Sequence, residues 1–141
     1  MQRREFLFAS ALAPVAAASQ ASATAATRFQ IACMTLPYSP FPLERALTGI
    51  KSAGYEYVAW GVNHRDSSGK MRPAMDLEAA PSVAKQLGAR CRNMGLEPVM
   101  MFSTVNFEDA GAADAYRKRI DQAQAAGIPN IIAFGKTTRE G

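Results

Sequence analysis

Apolar positions in this chain fall into two alternating patterns. Leu43, Leu47 and Ile50 repeat at helical spacing, as do Val83, Leu87, Cys91 and Met94, and then Ala113, Tyr116, Ile120 and Ala123. Each of these stretches predicts a helix with one buried stripe. Between them lie short runs that are apolar at successive positions, Val99-Met100-Met101-Phe102 and Ile131-Ile132-Ala133-Phe134. Continuous apolar runs of that length predict strands buried on both faces, as in a parallel sheet.

The transitions repeat. "IKSAGYEYVAWG", "CRNMGLEPVMMF" and "AQAAGIPNIIAFG" align on Gly54, Gly95 and Gly127, each with a helical run before it and an apolar run soon after. Glycine at that point predicts a left-handed residue closing the helix. Pro42 and Pro81 suit the first turns of the first two helices, where a missing N–H costs nothing. An earlier strand over Phe29–Met34 completes an order of β-α-β-α-β-α-β from about residue 29 to 135. Such alternation predicts parallel α/β architecture. It leaves two forms open, a small open parallel sheet or part of a (β/α)8 barrel. The loop after the first strand, "MTLPYSPFPLERAL", contains no Gly-rich phosphate loop, which argues against a dinucleotide-binding version.

Residues 1–23 read differently. Arg3-Arg4, an apolar stretch from Phe6 to Ala18 and then Ala21-Ser22-Ala23 have the anatomy of an export signal. The apolar stretch contains Pro14 and falls short of the about 20 residues that span a bilayer, so no stable membrane anchor is expected. "RREFL" is similar to the twin-arginine motif, which implies recognition of Arg3 and Arg4 by that export machinery and a periplasmic or otherwise exported product. Cleavage after Ala23 leaves a short linker, residues 24–28, before the domain at 29–141; cleavage after Ala25 fits nearly as well.

Of the chain's 141 residues, 16 are Lys or Arg and 12 Asp or Glu, a formal charge of +4. The basic residues are dispersed. Their densest run, Arg117-Lys118-Arg119, shares its helix with Asp114 and Asp121 and reads as a solvated face; no nucleic-acid partner is expected. Cys33 and Cys91 sit among apolar neighbours and are expected as free thiols, with a disulfide as the alternative that export would permit. Met34, Met75, Met94, Met100 and Met101 are spread over several elements and read as core rather than as a copper site.

"FQIACMTLPYSPFPLERALTGIKSAGYEYVAWGVNHRD" resembles the opening of the xylose-isomerase-like barrels, the sugar phosphate isomerase/epimerase family, and "YRKRIDQAQAAGIPNIIAFG" resembles that family's third helix and fourth strand. The resemblance implies the N-terminal half of a (β/α)8 TIM barrel, four strands and three helices. A complete barrel runs to about 250 residues. The chain stops where a fourth helix is expected, either because the sequence is partial or because a half-barrel pairs with itself. An isolated half is expected to self-associate through its open edges.

The implied activity of the full-length protein is aldose–ketose or epimer interconversion of a sugar or sugar phosphate, assisted by a divalent metal cation. The ligands of such a metal come mostly from the later strands of that family, so none is assignable here and catalytic residues stay unknown. The alternative is a non-catalytic periplasmic carbohydrate-binding module.

Barrel function sits in the loops after the strands. Those loops hold Thr35 to Tyr38, Trp60 to Arg65, Ser103, Thr104, Asn106 and Lys136. Three are singled out as substrate-binding candidates. His64, just past "YVAWGV", is placed over the barrel mouth, in a loop with little packing; it contacts a hydroxyl, moves a proton or binds metal there, or has no role. Trp60 offers an apolar platform for a sugar ring or belongs to the core. Lys136 offers a point charge to a phosphate or is simply an exposed lysine.

Overall fold

A computed structural model of the chain describes residues 29–136. The export-signal expectation, Arg3 and Arg4 included, lies outside the described residues. Four parallel strands form the main sheet: β1 (Ala32–Met34), β2 (Tyr57–Trp60), β5 (Glu97–Asn106) and β6 (Asn130–Phe134), in the spatial order β1-β2-β5-β6. Three helices connect them: α1 (Leu43–Ser52), α2 (Pro81–Asn93) and α3 (Ala112–Ala126). A small antiparallel hairpin, β3 (Asn63–Arg65) with β4 (Met71–Pro73), is inserted after β2.

The predicted alternation is present, and so are its glycine hinges. Gly54, Gly95 and Gly127 all have positive φ, between 71° and 89°, directly behind their helices. A side chain with a Cβ would be strained in that conformation. Pro81 opens α2 as its first residue, while Pro42 stands one residue before α1.

Sequential strand order has a consequence for layering. Each crossover steps one strand in the same direction, and right-handed crossovers of that kind put every helix on the same side. One buried cluster confirms it, joining Leu47 and Ile50 of α1, Leu87 and Cys91 of α2, and Ala123 and Ala126 of α3 to Val58, Trp60 and Met101 of the sheet. Side chains alternate along a strand. Met34, Ala59, Met100 and Ile132 therefore point to the opposite face, which no helix covers among the described residues. On it Phe102 stacks on Phe134, ring centroids 6.3 Å apart.

Several expectations need correction. The first strand is three residues long, not six; Phe29 and Ile31 lie outside it and are exposed. Only Tyr57–Ala59 of β2 oppose it, so pairing has nothing to extend along. In α2 the buried face is Ala84, Leu87, Gly88 and Cys91, leaving Val83 exposed. Gly88 allows α2 to approach α3 closely, since a Cβ there would stand 2.8 Å from the Ala126 carbonyl oxygen.

The face of α3 is rotated by about one residue from prediction. Its buried positions are Ala112, Ala115, Arg119, Gln122, Ala123 and Ala126, and Ile120 is exposed. Arg119 is thus not part of a solvated face. Its Nη1 donates to the Met75 carbonyl (2.9 Å) and to Gln122 Oε1 (2.8 Å), and Gln122 Nε2 donates to the carbonyls of Asp76 and Ala79, both 2.8 Å away. Polar side chains face inward because they satisfy backbone carbonyls of the 75–79 segment, which makes no secondary structure of its own. Burial lowers the Arg119 pKa, with the Asp76 charge acting the other way.

Both cysteines are free thiols. Cys91 is buried, and that burial raises its pKa, while the Trp60 indole beside it works against the rise. No helix among the described residues is long and apolar enough to cross a membrane.

Candidate functional site

The C-terminal ends of the parallel strands share one edge of the sheet; Thr35 to Tyr38, the β3–β4 hairpin and Lys136 leave from it, whereas Ser103, Thr104 and Asn106, expected in the loop after the third strand, are the last part of β5 itself. The most ordered arrangement there links the ends of β1 and β2. Gly61, just past β2, packs so tightly on the β1 loop that a Cβ would stand 2.7 Å from the Leu36 nitrogen. Its N–H donates to Thr35 Oγ1 at 2.8 Å. Thr35 Oγ1 also lies 3.0 Å from His64 Nε2, and His64 Nδ1 lies 3.1 Å from the Phe41 carbonyl oxygen.

These contacts assign the protons. The Phe41 carbonyl can only accept, so Nδ1 carries the hydrogen of the neutral ring. Nε2 is then an acceptor and the Thr35 hydroxyl donates to it, its own oxygen receiving from Gly61. The chain of donors runs Gly61 N–H to Thr35, Thr35 O–H to His64, His64 N–H to Phe41. Nothing in it is left unpaired. Two backbone bonds reinforce the same junction, Arg65 N–H to the Ser39 carbonyl and Ala74 N–H to the Val62 carbonyl, both 2.8 Å.

His64 therefore stands at the strand-end edge, as the sequence implies, but on β3 rather than in a loosely packed loop. It is 3% exposed. Its ring also borders a pocket of about 250 Å³ between the start of α1 and the hairpin, lined further by Pro42, Leu43, Asp66, Arg72 and Pro73.

The hairpin has no counterpart among the elements expected from the sequence. Its turn is organised by Asp66, whose Oδ1 accepts from Ser68 N (2.9 Å), Ser68 Oγ (2.6 Å) and Lys70 N (2.9 Å), while Oδ2 accepts from Arg72 Nε at 3.2 Å. The Ser68 hydroxyl foremost, then the Lys70 backbone N–H, holds the Asp66 carboxyl down at about 2. "DSSG" between two short extended runs is a readable turn signal in the sequence.

Trp60 lies elsewhere. It is 1% exposed within the cluster beneath the helices, and its Nε1 makes no well-formed hydrogen bond. It belongs to the core, and a sugar ring has no access to it in this conformation. Lys136, at the end of β6, pairs with Asp109 at 2.6 Å, and its backbone N–H donates to Glu108 at 2.9 Å. The hydrogen bond to Asp109 raises the Lys136 pKa and lowers that of Asp109. His64 and Lys136 leave from strands separated by β5, roughly 10 Å apart across the sheet at the least. The structure does not bring the three candidates into one site.

The residues present do not fit the divalent metal that the resemblance implies. Among the described residues no three His, Cys, Asp or Glu side chains form a metal-holding group. Both His64 nitrogens are committed to protein partners, and the Asp109 carboxylate to Lys136 and Asn106.

Fold and edge together define a small α/β domain, a parallel four-stranded sheet flanked by three helices, with its polar loops at the C-terminal ends of the strands. Comparison with protein-family models, with curated proteins and with solved structures gave no match to the chain.

Proposed function

We propose that this domain is four units of a (β/α)8-type barrel and that it binds a sugar or sugar phosphate at the C-terminal edge of its sheet. The observation that carries the reading is the sequential order β1-β2-β5-β6 with all three helices on one face. A doubly wound sheet reverses its order and covers both faces; a barrel wall does neither. Tyr38, Asn63 and Thr104 add hydroxyl and amide groups at that edge, the chemistry that recognises a polyhydroxylated ligand. The Thr35–His64 junction holds the first two of these loops in register, so His64 acts as a positioning residue.

Carbohydrate binding without catalysis is the reading these residues favour. Metal-assisted isomerisation or epimerisation is the second, supported by the sequence resemblance over residues 29–135, and it requires ligands beyond those described here. The Arg3-Arg4 pair and the apolar stretch behind it support twin-arginine export to the periplasm.

The test is a titration of isotope-labelled protein with monosaccharides and their phosphates, followed by NMR. Binding should perturb amides of residues 35–38, 61–65 and 103–106. Perturbations confined to other surfaces, or none at saturating sugar, would overturn the proposal. Interconversion of the added sugar in the presence of Mg2+ or Mn2+ would favour the isomerase reading over the binder.

A further inference from the structure

Resting on the reading of the strand-end edge as a sugar or sugar phosphate site, we propose that Arg119 is the oxyanion-binding residue of that edge. The ligand it takes there is the phosphate of a sugar phosphate.

The first support is the way Arg119 is paired. Exposed cations on α3 and at the end of β6 each have a carboxylate at 2.6 Å: Arg117 has Asp114, Lys118 has Glu78 and Lys136 has Asp109. Arg119 is 6% exposed and takes part in no ion pair among the described residues. Every hydrogen bond it makes among them is donated by Nη1, to the Met75 carbonyl and to Gln122 Oε1. Its Nε is buried without a partner.

That division of the guanidinium is specific. The Nε–H and one Nη2 N–H point the same way, and this edge meets two oxygens of a phosphate or carboxylate side-on. It is the edge left free, while the two Nη1 bonds hold the plane of the group in place. A guanidinium keeps its proton in proteins. Buried among neutral partners, the charge is therefore stabilised by any anion that reaches it. The opposing charge that acts on it is that of Asp76, which is exposed and whose Oδ1 accepts from the Glu78 N–H at 2.9 Å. A phosphate ester carries nearly two negative charges at neutral pH and gains most from such a cation.

The second support is place. Helix α3 follows β5 and so begins at the C-terminal edge of the sheet, where Tyr116 Oη donates to the Val105 carbonyl at 2.5 Å. Arg119 stands two turns into the helix. Long helical side chains lean toward the N-terminus of their helix, which carries this guanidinium back toward the strand ends. The Met75 carbonyl that it binds belongs to the stretch between the hairpin and α2, at the same edge.

The third is access. Residues 75–79 cover the guanidinium and make no secondary structure of their own. Met75, Asp76 and Ala79 also line a cavity of about 440 Å³ against Leu43 of α1 and Leu87 of α2, so the segment has room to yield when an anion enters.

The test follows the Nε–H resonance of Arg119 by NMR in the isotope-labelled full chain, titrated with inorganic phosphate at constant ionic strength against chloride. The signal should shift to saturation, and amides of residues 75–79 should shift with it. Arg119→Lys keeps the charge but loses the side-on edge; once shown to be folded by circular dichroism, it should bind phosphate at least ten-fold more weakly. Arg117→Lys, on the exposed face, should leave the response unchanged. A parent Nε–H signal that phosphate does not move overturns the proposal, and this measurement decides alone if the lysine variant does not fold. An equal response in folded Arg119→Lys marks an adventitious ion only and overturns it too.

A hexose 6-phosphate and the same hexose without its phosphate separate the two levels. The ester should bind more tightly than either phosphate or hexose. Hexose that moves the strand-end loops, with an Arg119 signal indifferent to both phosphates, removes the oxyanion site and keeps the sugar reading. Phosphate and ester that bind Arg119 equally, with no effect of hexose on residues 35–38 and 61–65, keep the oxyanion-binding role of Arg119 and remove the sugar reading.

Discussion

Replacing His64 by alanine should destabilise the fold, contrary to what a rim-loop position implies. The substitution leaves the Thr35 hydroxyl proton without an acceptor at a site 0% exposed, and strips the Phe41 carbonyl of its donor. An orphaned buried polar group costs about 1–3 kcal/mol. Phe41 is partly exposed, so water recovers some of its share. Loss of the imidazole's packing adds about 1 kcal/mol. The total is about 3 kcal/mol, or a fall in Tm of about 10 °C for a domain of this size. Thr35→Val keeps the side-chain shape but orphans the Gly61 N–H and His64 Nε2, and should cost about 2 kcal/mol. Because both changes break the same chain of hydrogen bonds, the double variant should cost at least 1 kcal/mol less than the two singles added together. Thermal and urea unfolding followed by circular dichroism, at fixed protein concentration, measures all four proteins. A His64→Ala protein melting within about 2 °C of the parent, or strict additivity of the pair, would refute the assigned network.

Three further outcomes are expected. Asp66 is held at about 2 in the folded state against an ordinary 3.8; its contribution to stability is thus present above about pH 4 and lost as pH falls toward 2. Asp66→Asn should flatten that acid limb, and a carboxyl titrating near 4 by NMR would contradict the turn geometry. Gln122→Leu removes the donor to the Asp76 and Ala79 carbonyls and should cost about 2 kcal/mol. It should also speed proteolysis within residues 74–80, and an unchanged cleavage rate would show that the α3 contacts do not hold that segment. Replacing Arg3 and Arg4 by lysines should halt export if the pair is a twin-arginine signal, read as precursor retained in the cytoplasmic fraction; normal periplasmic accumulation would exclude that pathway.

The sequence made local features legible and long-range ones not. Helix ends at Gly54, Gly95 and Gly127 were readable because left-handed backbone leaves its own residue signature. The β5 and β6 strands were readable because burial on both faces makes an unbroken apolar run. The face of α3 was misread because Arg119 and Gln122 look like surface residues until the carbonyls of Met75, Asp76 and Ala79 are placed against them. The place of His64 just past β2 is legible in the chain, yet its burial depends on Thr35 and Phe41, over 20 residues earlier. Nothing in the local pattern announces that. Local pattern leaves Trp60 and Lys136 two fates each; the structure puts the tryptophan in the core and pairs the lysine with Asp109.

The order of the main sheet also fixes how the chain can assemble during synthesis. Each strand added to the sheet joins the one that left the ribosome just before it in that sheet, β2 onto β1, β5 onto β2, β6 onto β5. Each pairing closes only the crossover between consecutive strands of the sheet, so the closure entropy does not grow as strands are added. At roughly 5–20 residues per second, one strand-and-helix unit emerges every few seconds. Helices form within about a microsecond, and mixed α/β domains fold between the μs–ms of helical bundles and the ms–s of all-β ones. Every unit thus has ample time to dock on the growth front before its successor appears, and the polypeptide accretes in the direction in which it is translated.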